Sequence, residues 1–285
     1  MKNNNENKLF FYADEDASQY DELVALTDPA YKLIHDSLNE QLCSYFSFFQ
    51  PYINNSKIVI LDVGCGTGAE AIPILLKNKN VHIFCLDTSR NMLDALKANA
   101  SAHKIDSQYT ILNLDIRNPE WFDIAKQYCL EVTGKHEFDG IISVYALHHF
   151  TRELKYNLYK AFFDITSDNG FFVNGDLYSF QTGWLSSLAQ QSLENWISKK
   201  FDLAKDDDTF STRDSTEWER LKLHWLSHVR NDNIPLPAQN NKLTPASSHH
   251  KSDQEILLSS GFESTECTFR YGQSAIMWAF KGSEK

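Results

Sequence analysis

The chain has 285 residues, of which 42% are hydrophobic and 23% charged, an ordinary globular balance that excludes disorder over most of its length. Its 27 Lys and Arg against 38 Asp and Glu give a net charge of −11, which repels nucleic-acid phosphates and anionic lipid, and no basic cluster offsets it. The polar start (residues 1–8) lacks the apolar core of a signal peptide, no run approaches the ~20 apolar residues of a membrane span, and Cys43, Cys65, Cys85, Cys129 and Cys267 form no CxxC pair or zinc spacing, so the expectation is a cytoplasmic protein with no metal.

Residues 1–16 are polar and acidic and read as a loose arm. A helix is expected from about 29 to 49, with Asp28 as N-cap and Pro29 at the first helical position, where its missing N–H costs nothing. Tyr31, Ile34, Leu38, Leu42, Tyr45, Phe46 and Phe49 recur at helical spacing and give it one apolar face. Short apolar runs then alternate with helical segments. Strands are expected at 58–63, 81–86, 108–114, 138–144 and 170–175, and helices at 69–78, 89–102, 121–131 and 154–166. Five apolar strands alternating with helices predict a parallel sheet covered on both faces.

The alternation stops after Asp176. Two helical segments (183–200 and 215–230) and a polar, proline-containing stretch (231–250) follow. A helix at 252–260 is expected to end at Gly261, and 262–270 and 274–280 read as a strand pair. The expected fold is α/β: a doubly wound, Rossmann-like sheet of about seven strands, with a C-terminal antiparallel pair and a helical insertion after the fifth strand. Residues 1–56 form an arm and covering helix, 57–176 and 251–285 one domain, and 177–250 a helical lid.

The chemistry concentrates at Leu61-Asp62-Val63-Gly64-Cys65-Gly66-Thr67-Gly68, on the turn between the first strand and the next helix. Glycines at alternate positions let backbone approach a ligand without Cβ clashes. Taken alone, Gly64-x-Gly66-x-x-Ala69 also satisfies the dinucleotide fingerprint. Three features separate the readings. Asp62 would be repelled by a pyrophosphate but attracted by an ammonium or sulfonium cation, and S-adenosylmethionine carries both. Asp87 ends the second strand, where a carboxylate can accept both ribose hydroxyls. Asp115-Ile116 follows the third strand and offers an acceptor and a backbone N–H to an adenine edge, with Met92 placed to pack on the ring.

On these residues the sequence resembles the class I S-adenosylmethionine-dependent methyltransferases, of the type acting on small molecules. Asp62 to Gly68 match the family's glycine loop, Asp87 its ribose acid and Asp115-Ile116 its adenine pair. Phe138 to Ser143 running into Leu147-His148-His149 match its fourth-strand segment. Tyr20-Asp21-Glu22 resembles the N-terminal "YD" of the small-molecule enzymes, and Ser259-Ser260-Gly261-Phe262 their helix-to-strand corner, with Ser260 in place of the usual Ala. The resemblance implies S-adenosyl-L-methionine as cofactor, held by Tyr20, Asp62, Gly64, Cys65, Gly66, Gly68, Asp87, Thr88, Met92, Asp115, Ile116 and Val144. It implies methyl transfer to an O, N, S or C nucleophile of a small organic acceptor. A modified-cofactor synthase or tRNA-modification enzyme of the same fold stays open, although the net charge opposes direct nucleic-acid binding. The synthase would need a basic residue near the cofactor, for which Arg213, Arg220 and Arg230 are candidates. A nicotinamide oxidoreductase is disfavoured by Asp62. Oligomeric state is not readable.

His148 and His149 follow the fourth strand. Successive residues there point differently, so at most one should face an acceptor and serve as general base; the alternative is pocket lining. Asp139 reads as structural. Asp176 reads either as an acceptor-orienting group or as an exposed strand-end residue. His224 and His228 stand four apart but lack a third ligand, and read as part of a helix face. Trp184, Leu188, Trp196, Trp218, Leu221 and Trp225 in the insertion are expected to be buried, packing a lid and lining the acceptor pocket.

Overall fold

A computed structural model describes residues 20–49, 57–178, 180, 183–204, 216, 219–223, 226 and 250–283. The expected arm (1–16), most of the stretch 231–250, and Arg213, Trp218, His224, Trp225, His228 and Arg230 lie outside the described residues.

Seven strands form one sheet: β1 (Ile58–Val63), β2 (Val81–Asp87), β3 (Tyr109–Asn113), β4 (Phe138–Val144), β5 (Thr166–Leu177), β6 (Ser264–Tyr271) and β7 (Ser274–Phe280). Their order is β3-β2-β1-β4-β5-β7-β6. The first five pair in parallel, while β7 runs antiparallel between β5 and β6. The helices are α1 (Tyr20–Thr27), α2 (Tyr31–Phe49), α3 (Ala71–Lys77), α4 (Arg90–His103), α5 (Trp121–Thr133), α6 (Arg152–Ile165), α7 (Gly183–Ala204) and α8 (His250–Ser259).

The period-2 alternation of β1 sorts its side chains onto two cores. Ile58 and Ile60 join Ile34, Leu38, Leu42, Ile74 and Leu96 of α2, α3 and α4 on one face. Val59, Leu61 and Val63 join Ala125, Leu158, Phe162 and Leu257 of α5, α6 and α8 on the other. All six residues of β1 are therefore buried, as a strand covered on both faces requires. Asp139 fastens β4 to this frame: its Oδ2 accepts the Val59 N–H at 2.7 Å and meets Lys135 Nζ at 2.6 Å, the structural role expected for it.

Local signals set the helix ends. Asp28 Oδ1 accepts the Ala30 N–H at 2.8 Å and Ser89 Oγ the Met92 N–H at 3.3 Å. Helix α5 stops at Gly134, whose φ is 76°. The short α1 has no periodic signal; only the resemblance at Tyr20-Asp21-Glu22 pointed to a covering helix there. It packs with α7 in a third core of Val24, Tyr31, Ile197, Phe201, Ala204 and Leu226, against which Tyr20, Tyr145, Trp196 and Leu221 lean. Two burial expectations in the insertion fail: Trp184 is 67% and Leu188 52% exposed, because α7 offers Ile197 and Phe201 to α1 and turns those two outward.

The strand order reverses between β1 and β4, since the chain builds outward first to β2 and β3 and then to β4 and β5. Such a switch point opens a crevice beyond the carboxyl ends of the two central strands.

Candidate cofactor and acceptor site

A cavity occupies that crevice. Gly64, Cys65 and Gly66 of the loop after β1 line it, as do Asp87 and Thr88 at the end of β2 and Met92 on α4. Asp115 and Ile116 after β3, Val144 at the end of β4 and Tyr20 of α1 line it too. The sequence placed these ten on four strand ends and two helices, and the fold brings them to one wall.

Glycine is required at two places in the loop. At Gly64, with φ 73°, an added Cβ would stand 2.5 Å from the Ala146 Cβ, so the loops after β1 and β4 touch through a missing side chain. Gly66, with φ 50°, has nothing within 4 Å of such a Cβ, so its requirement is conformational. The Gly64 and Cys65 N–H groups donate to the Leu86 carbonyl at 2.8 and 3.1 Å. Asp87 fixes the rest: Oδ2 accepts the Gly66 N–H at 3.0 Å and Oδ1 the Ser89 N–H at 2.8 Å. Burial pushes its pKa up, and the N–H groups of Ser89, Gly66 and Thr88 restrain the rise. Asp115 is held by Arg117, whose Nη2 lies 2.5 Å from Oδ2, and this bonding takes its pKa below the usual range.

Three expected residues do not line the cavity. Gly68, with φ 90°, packs against Ile72 and Leu96. Asp62 is 1% exposed, and its Oδ2 is buried with no hydrogen-bond partner. Burial, then the charges of Glu70 and Asp87, raise its pKa well above the usual range. His148 turns away: its Nδ1 lies 2.6 Å from Asp176 Oδ1, while His149 lines the cavity with its ring centroid 3.9 Å from that of His148. Of the pair, His149 alone lines the cavity. Both expectations for Asp176 are corrected. It is 1% exposed and braces the loop after β4, its Oδ2 accepting the Leu147 N–H at 3.1 Å. Burial opposes its charge, but His148 and then Lys155 more than compensate, and its pKa falls.

Sequence reasoning gave no site role to Asp21, which it named only in the Tyr20-Asp21-Glu22 motif, or to Tyr31, His35, Glu70 and Tyr145, yet all five line the cavity. Asp21 latches α1 in place: Oδ1 accepts the Tyr31 O–H and Oδ2 the Thr67 O–H, both at 2.7 Å. His35 Nδ1 pairs with Glu70 Oε1. Tyr145 holds φ 49°, rare for a non-glycine residue, and its ring stacks on Tyr31 at 5.6 Å. Tyr31 and His35 stand one turn apart on the buried face of α2, a polar break in an apolar stripe that was visible in the sequence.

Residues 61–172 match the family model of a methyltransferase domain. The fold alone is shared with a solved structure from Methanococcus maripaludis, provisionally named an S-adenosyl-L-methionine-dependent methyltransferase: TM-score 0.51 at 15% identity, over 94% of this chain and 93% of that one. Residues 61–172 are thus a methyltransferase domain, a domain type whose methyl donor is S-adenosylmethionine. A curated relative is a tRNA N(3)-methylcytidine methyltransferase of Schizosaccharomyces pombe, 27% identical over 42% of this chain and 44% of its own length. Another is a carboxy-S-adenosyl-L-methionine synthase of Campylobacter lari, 22% identical over 96% of this chain and 95% of the relative. The chain spans less than half the length of the first curated relatives it matches. No helix among the described residues is long and apolar enough to cross a membrane.

Proposed function

We propose that the protein transfers the methyl group of S-adenosylmethionine to a nucleophile of a small organic acceptor, with no nucleic acid or membrane as partner. The observation that carries this reading is the partial cover and aromatic wall of the cavity: α1, latched by Asp21 to Thr67 and Tyr31, lies against the glycine loop, and Tyr31, Tyr145, His149 and Phe150 line the cavity with Val144. A partly covered, aromatic-walled cavity suits a small partly apolar molecule better than a polymer.

When bound, the cofactor supplies an electrophilic methyl group on a sulfonium, with a neutral thioether as leaving group. The chain's own residues then have four tasks. Asp87 accepts the ribose hydroxyls, having already fixed the loop through Gly66. Asp115 and the Ile116 N–H read the adenine edge, with Met92 against the ring. Asp62 lies buried behind the glycine loop, off the cavity wall, so the carboxylates that line the cavity beside the loop, Asp21 and Glu70, answer the cofactor's cationic end. His149 takes the acceptor's proton, its loop braced by the His148–Asp176 pair. No described residue of the insertion lines the cavity, so the expected pocket lining is not seen there; α7 instead backs α1 through the third core, which supports reading the insertion as part of a lid that excludes water.

A second reading, synthesis of a carboxylated cofactor, is favoured by the relative that aligns over nearly the whole chain. It requires a cation for the extra carboxylate, and no Lys or Arg among the described residues lines the cavity. Arg220, one of the three arginine candidates, is exposed. Incubating the protein with methyl-labelled S-adenosylmethionine and fractionated cell extract tests the proposal. Label should appear in the fraction below ~1 kDa. Label confined to tRNA or protein refutes a small acceptor, and a copurifying cofactor carrying one added carboxyl group supports the synthase.

A further inference from the structure

The cavity is acidic. Asp21, Glu70, Asp87 and Asp115 line it, and no Lys or Arg among the described residues does. Yet S-adenosylmethionine ends in an amino acid whose α-carboxylate needs a donor once inside. With Asp115 at the adenine end and Asp87 at the ribose, the amino-acid end falls toward Thr67, Ala69 and Glu70, where α2 crosses the loop. Asn39 Nδ2 donates to the Ala69 carbonyl at 3.4 Å at this crossing.

His35 stands there. Its side chain is 12% exposed, its Nδ1 pairs with Glu70 Oε1, and its Nε2 is buried with no hydrogen-bond partner although the residue lines the cavity. The ring is clamped edge-on by Tyr31, centroids 4.2 Å apart, and lies 5.8 Å from Tyr145, so it cannot swing away to find a partner elsewhere. A buried ring nitrogen without a partner costs free energy unless a ligand completes it. Burial disfavours the charged imidazolium, but the carboxylates of Glu70, Asp21 and Asp36 outweigh it, and the pKa of His35 is raised. With Nδ1–H given to Glu70, the protonated ring has one free donor, Nε2–H.

We propose that His35, held by Glu70, binds the α-carboxylate at the amino-acid end of the cofactor through Nε2–H. The inference rests on the placement of S-adenosylmethionine in this cavity and adds a residue that the glycine-loop pattern does not contain. The two ends of the zwitterion are then divided between the His35 imidazolium, which takes the carboxylate, and the acidic lining beside it, Asp21 and Glu70, which faces the ammonium.

Three ligands separate these contacts by equilibrium calorimetry. S-adenosylmethionine has both charged groups, decarboxylated S-adenosylmethionine lacks the carboxylate, and 5′-methylthioadenosine lacks the whole amino-acid end. A hydrogen bond between charged groups contributes about 1.5–3 kcal/mol, so His35→Ala should weaken S-adenosylmethionine by about 10- to 150-fold. It should leave the other two ligands at wild-type affinity. His35→Gln keeps an N–H donor and should recover part of the loss. Equal losses for S-adenosylmethionine and its decarboxylated form would mean that Nε2 serves the ammonium or only supports the loop, and would overturn the assignment, as would an unchanged affinity. Wild-type protein that binds none of the three refutes the cofactor placement itself, a separate and recognisable failure.

Discussion

Gly64 and Gly66 both hold positive φ, but the structure assigns them different costs. An L-residue in the left-handed region costs about 1–2 kcal/mol. Gly66→Ala should incur that alone, since nothing lies within 4 Å of its added Cβ. Gly64→Ala adds a Cβ at 2.5 Å from the Ala146 Cβ, and relieving an overlap in packed surroundings costs about 1–3 kcal/mol more. The expected losses are therefore about 1–2 kcal/mol for Gly66→Ala and about 2–5 kcal/mol for Gly64→Ala. Gly134, at the end of α5 with φ 76° and open space around its Cβ, is the control and should match Gly66 in stability. Urea unfolding followed by circular dichroism reads all three. Binding of S-adenosylhomocysteine then separates Gly66→Ala, which should weaken it, from Gly134→Ala, which should not. If Gly64→Ala destabilises no more than Gly134→Ala, the close approach of the two loops is not a constraint and the reasoning fails.

With an acceptor in hand, His149→Ala should lower kcat by about 100-fold or more at neutral pH while leaving cofactor affinity intact, as expected for loss of a general base. His148→Ala should act through the loop and be partly rescued by His148→Asn. If His149→Ala keeps most of its kcat, alignment alone carries the reaction. Burial and then the Lys57 charge push the His82 pKa down to about 4, from 6.5 when unfolded. The unfolded chain binds the extra proton between these values, so the contribution of His82 is complete above pH 6.5 and is lost as pH falls toward 4. His82→Gln should flatten stability across that window in unfolding titrations, and an unchanged slope would refute the assignment. Hydrogen exchange should show S-adenosylmethionine increasing protection in α1 and α7 as well as in 62–68, 87–92 and 115–116; protection confined to those three segments would make the insertion a partner surface rather than a lid.

The sheet was legible because burial on both faces writes itself as apolar runs, and strands 58–63 and 138–144 came out at the residues observed. Ten of the residues lining the cavity were legible because they cluster at strand ends next to glycines whose φ the loop demands. The rest of the site depends on tertiary placement. Asp21 matters because α1 folds back to meet Thr67, a contact spanning 46 residues that no local pattern announces. His35 reads in sequence as a polar residue on an apolar helix face and gains a role only when Glu70 arrives beside it. Asp176 was misjudged because strand-end acids are usually solvated, whereas here the loop after β4 closes over it and supplies His148. Trp184 and Leu188 were misjudged because one apolar face of α7 suffices to meet α1.

The central claim is that the loop Asp62–Gly68 and Asp87 hold S-adenosylmethionine rather than a dinucleotide. Calorimetry of the wild-type protein and Asp87→Ala against S-adenosylmethionine and NADH tests it most directly. The account predicts that wild type binds S-adenosylmethionine and that Asp87→Ala weakens this by at least about 10- to 150-fold, the loss of a single charged hydrogen bond of about 1.5–3 kcal/mol. NADH should show no measurable heat. Tight NADH binding with none of S-adenosylmethionine would contradict the account.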